Sequence, residues 1–348
     1  MSKNNVKAIV YALLAAVFYA VNVPFSKILL INMEPTLMAG LLYLGAGVGI
    51  GFLSLFHIND RESAERLTKK DLPYVIGMIV LDIAAPIFLM FGITESTSSS
   101  ASLLGNFEIV ATTMIALFVF KEVVSKRLWS AILCITAASA MLSLDGAEGI
   151  HFSIGSLLVL AATLCWGLEN NCTRQISWKS TYEIVMLKGF FSGGGSLVIA
   201  FLIGERITEI KWVLAAMTLG FVAYGLSIFF YVRAQNTLGA AKTSAYYAAA
   251  PFVGAGLSFL ILGERLTPLY FAAFVVMLAG TALVVRDTLV RNHLHEHEHF
   301  VTHTHDGTTH THVVRHSHAH NHMLSEERHG HHHSREELLS ELKGAHQT

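Results

Sequence analysis

Charge is what this sequence has least of. Asp, Glu, Lys and Arg make up 14% of its 348 residues, against about 25% in soluble domains, and mean hydropathy is +0.52. A water-soluble globular fold is thereby excluded. Cysteine is scarce too: Cys134, Cys165 and Cys172 lie within or at the ends of apolar runs and form no Cys-x-x-Cys pair, so no disulfide framework is expected. Catalytic signatures are missing as well. There is no Gly-x-Ser-x-Gly, no His-Glu-x-x-His and no Walker loop, and Gly193-Gly194-Gly195 lacks the strand and lysine of a phosphate loop. The sequence therefore predicts no enzyme and no ATP-driven pump, leaving ion or solute gradients as the energy source. With a net charge of -1 and no extended basic face, nucleic acid is not an expected partner.

What the chain has in abundance is apolar length. Ten runs stand out: Val6–Ile31, Thr36–Phe56, Leu72–Gly92, Ser98–Phe120 and Leu128–Leu144, then Ile154–Thr173, Tyr182–Ile203, Trp212–Val232, Ala240–Leu262 and Pro268–Val285. Each is near the ~20 residues a helix needs to span hydrocarbon. Although Lys3 and Lys7 precede the first run, it is too long for a signal-peptide core and leads straight into a second span, so it is read as an uncleaved helix. The expected fold is therefore an all-α polytopic membrane protein with ten transmembrane helices, in a cell (plasma or inner) membrane.

Sidedness follows from the basic residues. With a cytoplasmic N-terminus, the inside segments hold Lys3, Lys7, Arg61, Arg66, Lys69, Lys70, Lys121, Lys126, Arg127, Arg174, Lys179, Arg233, Lys242, Arg286 and Arg291, whereas the outside loops hold only Arg206, Lys211 and Arg265. That bias predicts both termini in the cytoplasm. The second five runs repeat the first five at a shift of about 145 positions, and because five is odd the two copies cross the bilayer in opposite directions.

Two pairs of segments carry the repeat. Phe18-Tyr19-Ala20-Val21-Asn22, followed by Lys27, lies over Cys165-Trp166-Gly167-Leu168-Glu169, followed by Arg174; Phe120-Lys121-Glu122-Val123-Val124-Ser125 lies over Leu262-Gly263-Glu264-Arg265-Leu266-Thr267. In the second pair a Glu ends an apolar helix, and a hydroxyl residue three positions on can cap the next. Together these features resemble the drug/metabolite transporter superfamily, in particular the ten-helix EamA type. The resemblance implies two inverted five-helix repeats (6–145 and 154–286) ahead of a cytoplasmic tail (287–348). It also implies transport of small solutes, and a central cavity lined by helices 1, 3, 4, 6, 8 and 9.

Intramembrane charges cost about 2.5–3.5 kcal/mol each on insertion scales, so each needs a reason. Asp82 lies mid-run, four residues before Pro86, whose missing N–H frees the Asp82 carbonyl; a cation or proton could bind there. Glu108 follows Asn106, and Glu169 precedes Asn170 and Asn171, which makes them candidates for a polar substrate. Lys188 is the cation available to pair with them if their role is structural. Asn22 matches Glu169 by repeat position, and Tyr19 and Trp166 can stack on a flat or apolar part of a substrate, or simply pack. Pro24 and Pro251 are expected to kink helices 1 and 9. Gly45, Gly47, Gly49, Gly51 and Gly193–Gly195 are read as helix-packing stripes, which leaves monomer and homodimer both open.

The tail differs in kind. Seventeen of the 19 histidines lie between His293 and His346, and the ligand candidates are His293, His295, His297, His299, His303, His305, His310, His312, His316, His318, His320, His322, His331, His332 and His333. Neutral imidazoles at every second position suit Zn, Ni, Cu or Co, while the composition predicts a disordered segment with several exchangeable sites. No cofactor is required. A short amphipathic helix is expected over Arg335–Leu342. Three functions fit these residues. The leading one is a secondary carrier exporting a small polar or amphipathic metabolite by alternating access, with proton or cation coupling. Next come a divalent-metal transporter or metal-homeostasis exporter, and a metal-responsive membrane sensor.

Overall fold

The computed structural model describes residues 3–56, 66–120, 126–145, 151–176, 178–207, 209–238, 243, 246–264, 267–305 and 308–323. Residues 1–285 form one compact unit and 286–348 a second. Among the described residues the first unit holds ten helices: α1 in two segments (Lys3–Ala20 and Asn22–Leu29), α2 (Pro35–Phe56), α3 (Leu72–Thr94), α4 in two segments (Ser98–Leu104 and Phe107–Phe120), α5 (Lys126–Ser143), α6 (Ile154–Ile176), α7 (Thr181–Leu187 continuing through Gly193–Leu202), α8 (Ile210–Gly220 continuing through Ser227–Leu238), α9 (Ala250–Leu262) and α10 (Pro268–Leu289). Six of them, α1, α2, α3, α7, α8 and α10, are each long and apolar enough to cross a bilayer unaided. A short antiparallel pair, β1 (Leu144–Asp145) with β2 (His151–Phe152), links α5 to α6.

Proline acts differently at its three intramembrane positions. Its ring clashes with the carbonyl four residues back, and α1 breaks at Val21, immediately after Ala20 and before Pro24. Pro86 is accommodated inside an unbroken α3. Before Pro251 the described backbone is helical at Tyr246 and Tyr247, turns at Ala248 and Ala249 and resumes as α9, whose first turn holds Pro251, where its missing N–H has no partner to lose. Residues 239–242, 244 and 245, which the sequence reading gave partly to this helix, lie outside the described residues.

The two halves interlock rather than sit side by side. α1 packs on α8 as α6 packs on α3; α1 packs on α9 as α6 packs on α4; α2 lies on α7, and α4 on α9. Each contact therefore recurs when helix n is exchanged for helix n+5, and the core lies between the repeats. The glycine stripe of α2 permits this. A Cβ on Gly45 would strike the Met217 carbonyl, and one on Gly47 would approach Gly189, so α2 touches α8 and α7 backbone to backbone on opposite faces.

Helix ends on one face are closed by charge. At the start of α4 the Glu264 carboxylate accepts the backbone N–H groups of Ser98 (2.7 Å) and Ser99 (2.9 Å), and at the start of α2 Glu205 accepts those of Thr36 (3.2 Å) and Leu37 (2.6 Å). Lys27 donates to the carbonyls of Ile93, Thr94 and Ser96 at the end of α3. Anions thus meet helix N-termini and a cation meets a C-terminus, as the helix dipole favours. Thr267 accepts from the Tyr270 N–H at 3.1 Å and caps α10, as its spacing from Glu264 predicts; the matching Ser125 and Glu122 lie outside the described residues. Removing both clamps with Glu264→Ala and Glu205→Ala is expected to cost about 1–2 kcal/mol each, additively because the sites share no partner. Thermal unfolding of the single and double variants in detergent checks this.

The second unit carries β3 (Val290–His305) antiparallel to β4 (Thr308–Met323). The backbone over 290–323 runs as a paired ribbon. The period-2 placement of histidine among Thr, Val and Phe suits a strand. His331–His333 and the helix expected over Arg335–Leu342 lie outside the described residues.

Candidate functional site

Within the membrane helices, the charged side chains come together. The Lys188 Nζ lies 2.5 Å from Glu169 Oε1 and 3.1 Å from Asp82 Oδ2. These side chains are 6%, 4% and 1% exposed, so the group is a buried ion triad. Asp82 Oδ1 also accepts the Tyr43 hydroxyl at 2.7 Å, and Thr173, one turn beyond Glu169 on α6, donates to Glu169. Every carboxylate in the triad therefore has both a cation and a hydroxyl.

Local backbone irregularity places two of these residues. α7 widens into a π-helical turn at Lys188–Ser192, and α8 does the same at Phe221–Leu226. Such turns rotate the following face of a helix and recur at functional sites. The first begins at Lys188. The second carries Tyr224, whose hydroxyl accepts Asn22 Nδ2 at 3.2 Å and whose ring lies 4.9 Å from Tyr43 and 6.1 Å from Tyr19.

Next to the triad on α6, Asn170 donates to Glu108 Oε1 at 2.5 Å. Trp166, one turn earlier, meets Tyr19 edge to face at 6.4 Å, and Tyr19 meets Tyr247 at 5.8 Å. Asn106 occupies the break between the two α4 segments, buried, and among the described residues its amide nitrogen and oxygen have no hydrogen-bond partner. An unpartnered buried amide is costly, and here it stands two residues from Glu108.

All eight candidate positions can thus be placed. Tyr19, Asn22, Asp82, Glu108, Trp166, Glu169 and Asn170 fall into one connected network, with Asn106 on its edge at the α4 break. Asp82 is not a bare cation site; Lys188 and Tyr43 already hold it. Sequence reasoning named Lys188 only as a pairing partner, and it left out Tyr43, Tyr224 and the contributions of α2 and α7. It also left out Glu205. A signal for Glu205 was available: Gly204-Glu205-Arg206-Ile207-Thr208 repeats as Gly263-Glu264-Arg265-Leu266-Thr267, and both glycines take positive φ, at 90° and 63°, which turns the chain so that the next carboxylate reaches a neighbouring helix. Among the described residues of the membrane helices, no three of His, Cys, Asp and Glu gather as a metal cage.

Comparison with known proteins bears on this arrangement. A probable amino-acid metabolite efflux pump of Escherichia coli (strain K12) is 27% identical over 289 residues, covering 78% of this chain and 92% of the relative. An uncharacterized transporter of Methanothermobacter thermautotrophicus is 25% identical over 292 residues, covering 78% and 83%. Among solved structures, one crystal structure of a protein 15% identical in sequence superposes with a TM-score of 0.60 over 81% of this chain and 97% of that one, which supports the fold. The model of the EamA-like transporter family matches twice, over residues 6–144 and 153–286. Most of the chain is thereby accounted for, and the protein belongs to the EamA-like transporter family, membrane transporters of small metabolites and not enzymes.

Proposed function

We propose that the protein is a secondary exporter of a small zwitterionic or amphipathic metabolite, working by alternating access around the network of Glu108, Asn170, Glu169, Lys188 and Asp82. The observation that carries this reading is the buried ion triad, built from α3, α6 and α7 and therefore from both halves of the chain. A substrate with an ammonium and a carboxylate can exchange for the partners within such a triad, taking Lys188 with one end and a carboxylate with the other. Tyr19, Trp166 and Tyr224 supply a flat apolar wall, and the free amide of Asn106 adds a polar contact. The amino-acid metabolite named for the Escherichia coli relative is of this chemistry. Two carboxylates share Lys188 while Glu108 is held by Asn170, so a proton or cation accompanying the cycle has a place to bind. On the sidedness of the basic residues both termini are cytoplasmic, and the Glu205 and Glu264 clamps then close the outer face.

Proteoliposomes preloaded with labelled amino acids test the assignment. Glu108→Gln, nearly isosteric and able to keep a hydrogen bond to Asn170, is expected to lower efflux at least tenfold, about 1.4 kcal/mol in the transport barrier, with unchanged thermal stability. Wild-type efflux in this variant would remove Glu108 from the path.

A further inference from the structure

The ribbon of the second unit has a register that composition alone does not dictate. His293 pairs with His320, His295 with His318, His297 with His316 and His303 with His310, without a bulge from Val290↔Met323 to His305↔Thr308. In an antiparallel pair, directly opposed residues share a face, and so do residues two apart along each strand. All 12 histidines between 290 and 323 consequently fall on one face, because they are odd-numbered in β3 and even-numbered in β4. The other face has none. There Glu298 stands opposite Arg315, Phe300 opposite Val313, Leu294 opposite Ala319, Thr302 opposite Thr311 and Thr304 opposite Thr309.

We propose that residues 290–323 are a transition-metal-binding β-ribbon whose register assembles two separate imidazole sites. The first spans the rungs 293/320, 295/318 and 297/316. The second spans rung 303/310 with His305 and His312. Opposed positions lie about 4.5–5.5 Å apart at Cα, and successive rungs on one face about 6.6 Å apart. Two neighbouring rungs of the first site therefore bring four histidines together, and rung 303/310 with either neighbour brings three, ligand counts that suit a divalent ion such as Zn²⁺, Ni²⁺ or Cu²⁺. Between the sites, His299 opposes Val314, so the run of paired histidines is interrupted. A ribbon of this kind gives the tail a defined stoichiometry, in contrast to the diffuse binding of a disordered histidine-rich segment.

The test keeps composition constant and changes only the face. In full-length protein in nanodiscs, the exchanges L294H/H295L, E296H/H297E and E298H/H299E move three imidazoles of β3 to the opposite face and leave the membrane unit untouched. After equilibration with Zn²⁺ and removal of free ion, metal counting is expected to give about two ions per wild-type chain and about one per variant chain. Equal occupancy in both would overturn the proposal, since binding would then follow histidine content alone. Hydrogen exchange supplies a second readout: Zn²⁺ should slow exchange across both 290–305 and 308–323 in the wild type. No slowing in either segment would equally overturn it.

Discussion

Replacing Lys188 by methionine is expected to destabilise the membrane unit by about 3–5 kcal/mol, the cost of breaking a buried ion pair from one side. The lysine serves Glu169 at 2.5 Å and Asp82 at 3.1 Å. Its loss leaves two buried carboxylates without their shared cation. A triple variant, Lys188→Met with Asp82→Asn and Glu169→Gln, removes the orphaned charges together with the cation and should regain most of the lost stability, because neutral groups of similar shape often replace a buried ion network at little cost. Transport should stay absent in both. Unfolding followed by tryptophan fluorescence in detergent separates the cases. A single variant melting like the wild type would mean that water reaches the triad.

Gly220→Leu should be comparably damaging for a different reason. A Cβ at Gly220 would overlap the Leu42 carbonyl on α2, just as one at Gly45 would overlap the Met217 carbonyl on α8. Backbone cannot yield as a side chain does, so the helices would have to separate and expose the contacts on either side. A loss of about 3 kcal/mol or more is expected, at the upper end of overpacking effects. Gly194 has nothing within 4 Å of its would-be Cβ, and Gly194→Ala should leave stability near wild type. Monodispersity after solubilisation, compared across the two variants, decides whether close approach or glycine content matters.

What could be read from the sequence follows the range of each interaction. Ten spans were legible because a bilayer demands about 20 apolar residues regardless of neighbours. Asp82, Glu108 and Glu169 were legible because charge in such runs is rare. Tyr43 and Tyr224 were not, since a tyrosine in an apolar helix carries no mark of the partner it will meet, and the π-helical turn that places Tyr224 has no sequence signature. Glu264 was noticed as a corner but not as a cap, because its partners Ser98 and Ser99 lie in the other repeat. Over the tail, composition points to disorder while the alternation of histidine with Thr, Val and Phe suits a strand.

The interlocked packing of the repeats has a consequence during synthesis. Asp82 lies in α3, whereas its cation lies in α7 and its hydroxyl neighbour Tyr43 in α2. About a hundred residues separate Asp82 from Lys188, so at ~5–20 residues per second the ribosome takes on the order of ten seconds to deliver the lysine. For that interval the nascent first half holds a carboxylate without its ammonium. Asp82 must wait without its ion-pair partner until α7 arrives. Closure of the triad thereby waits on the second half, and a chain that ends before Lys188 leaves Asp82 without its cation.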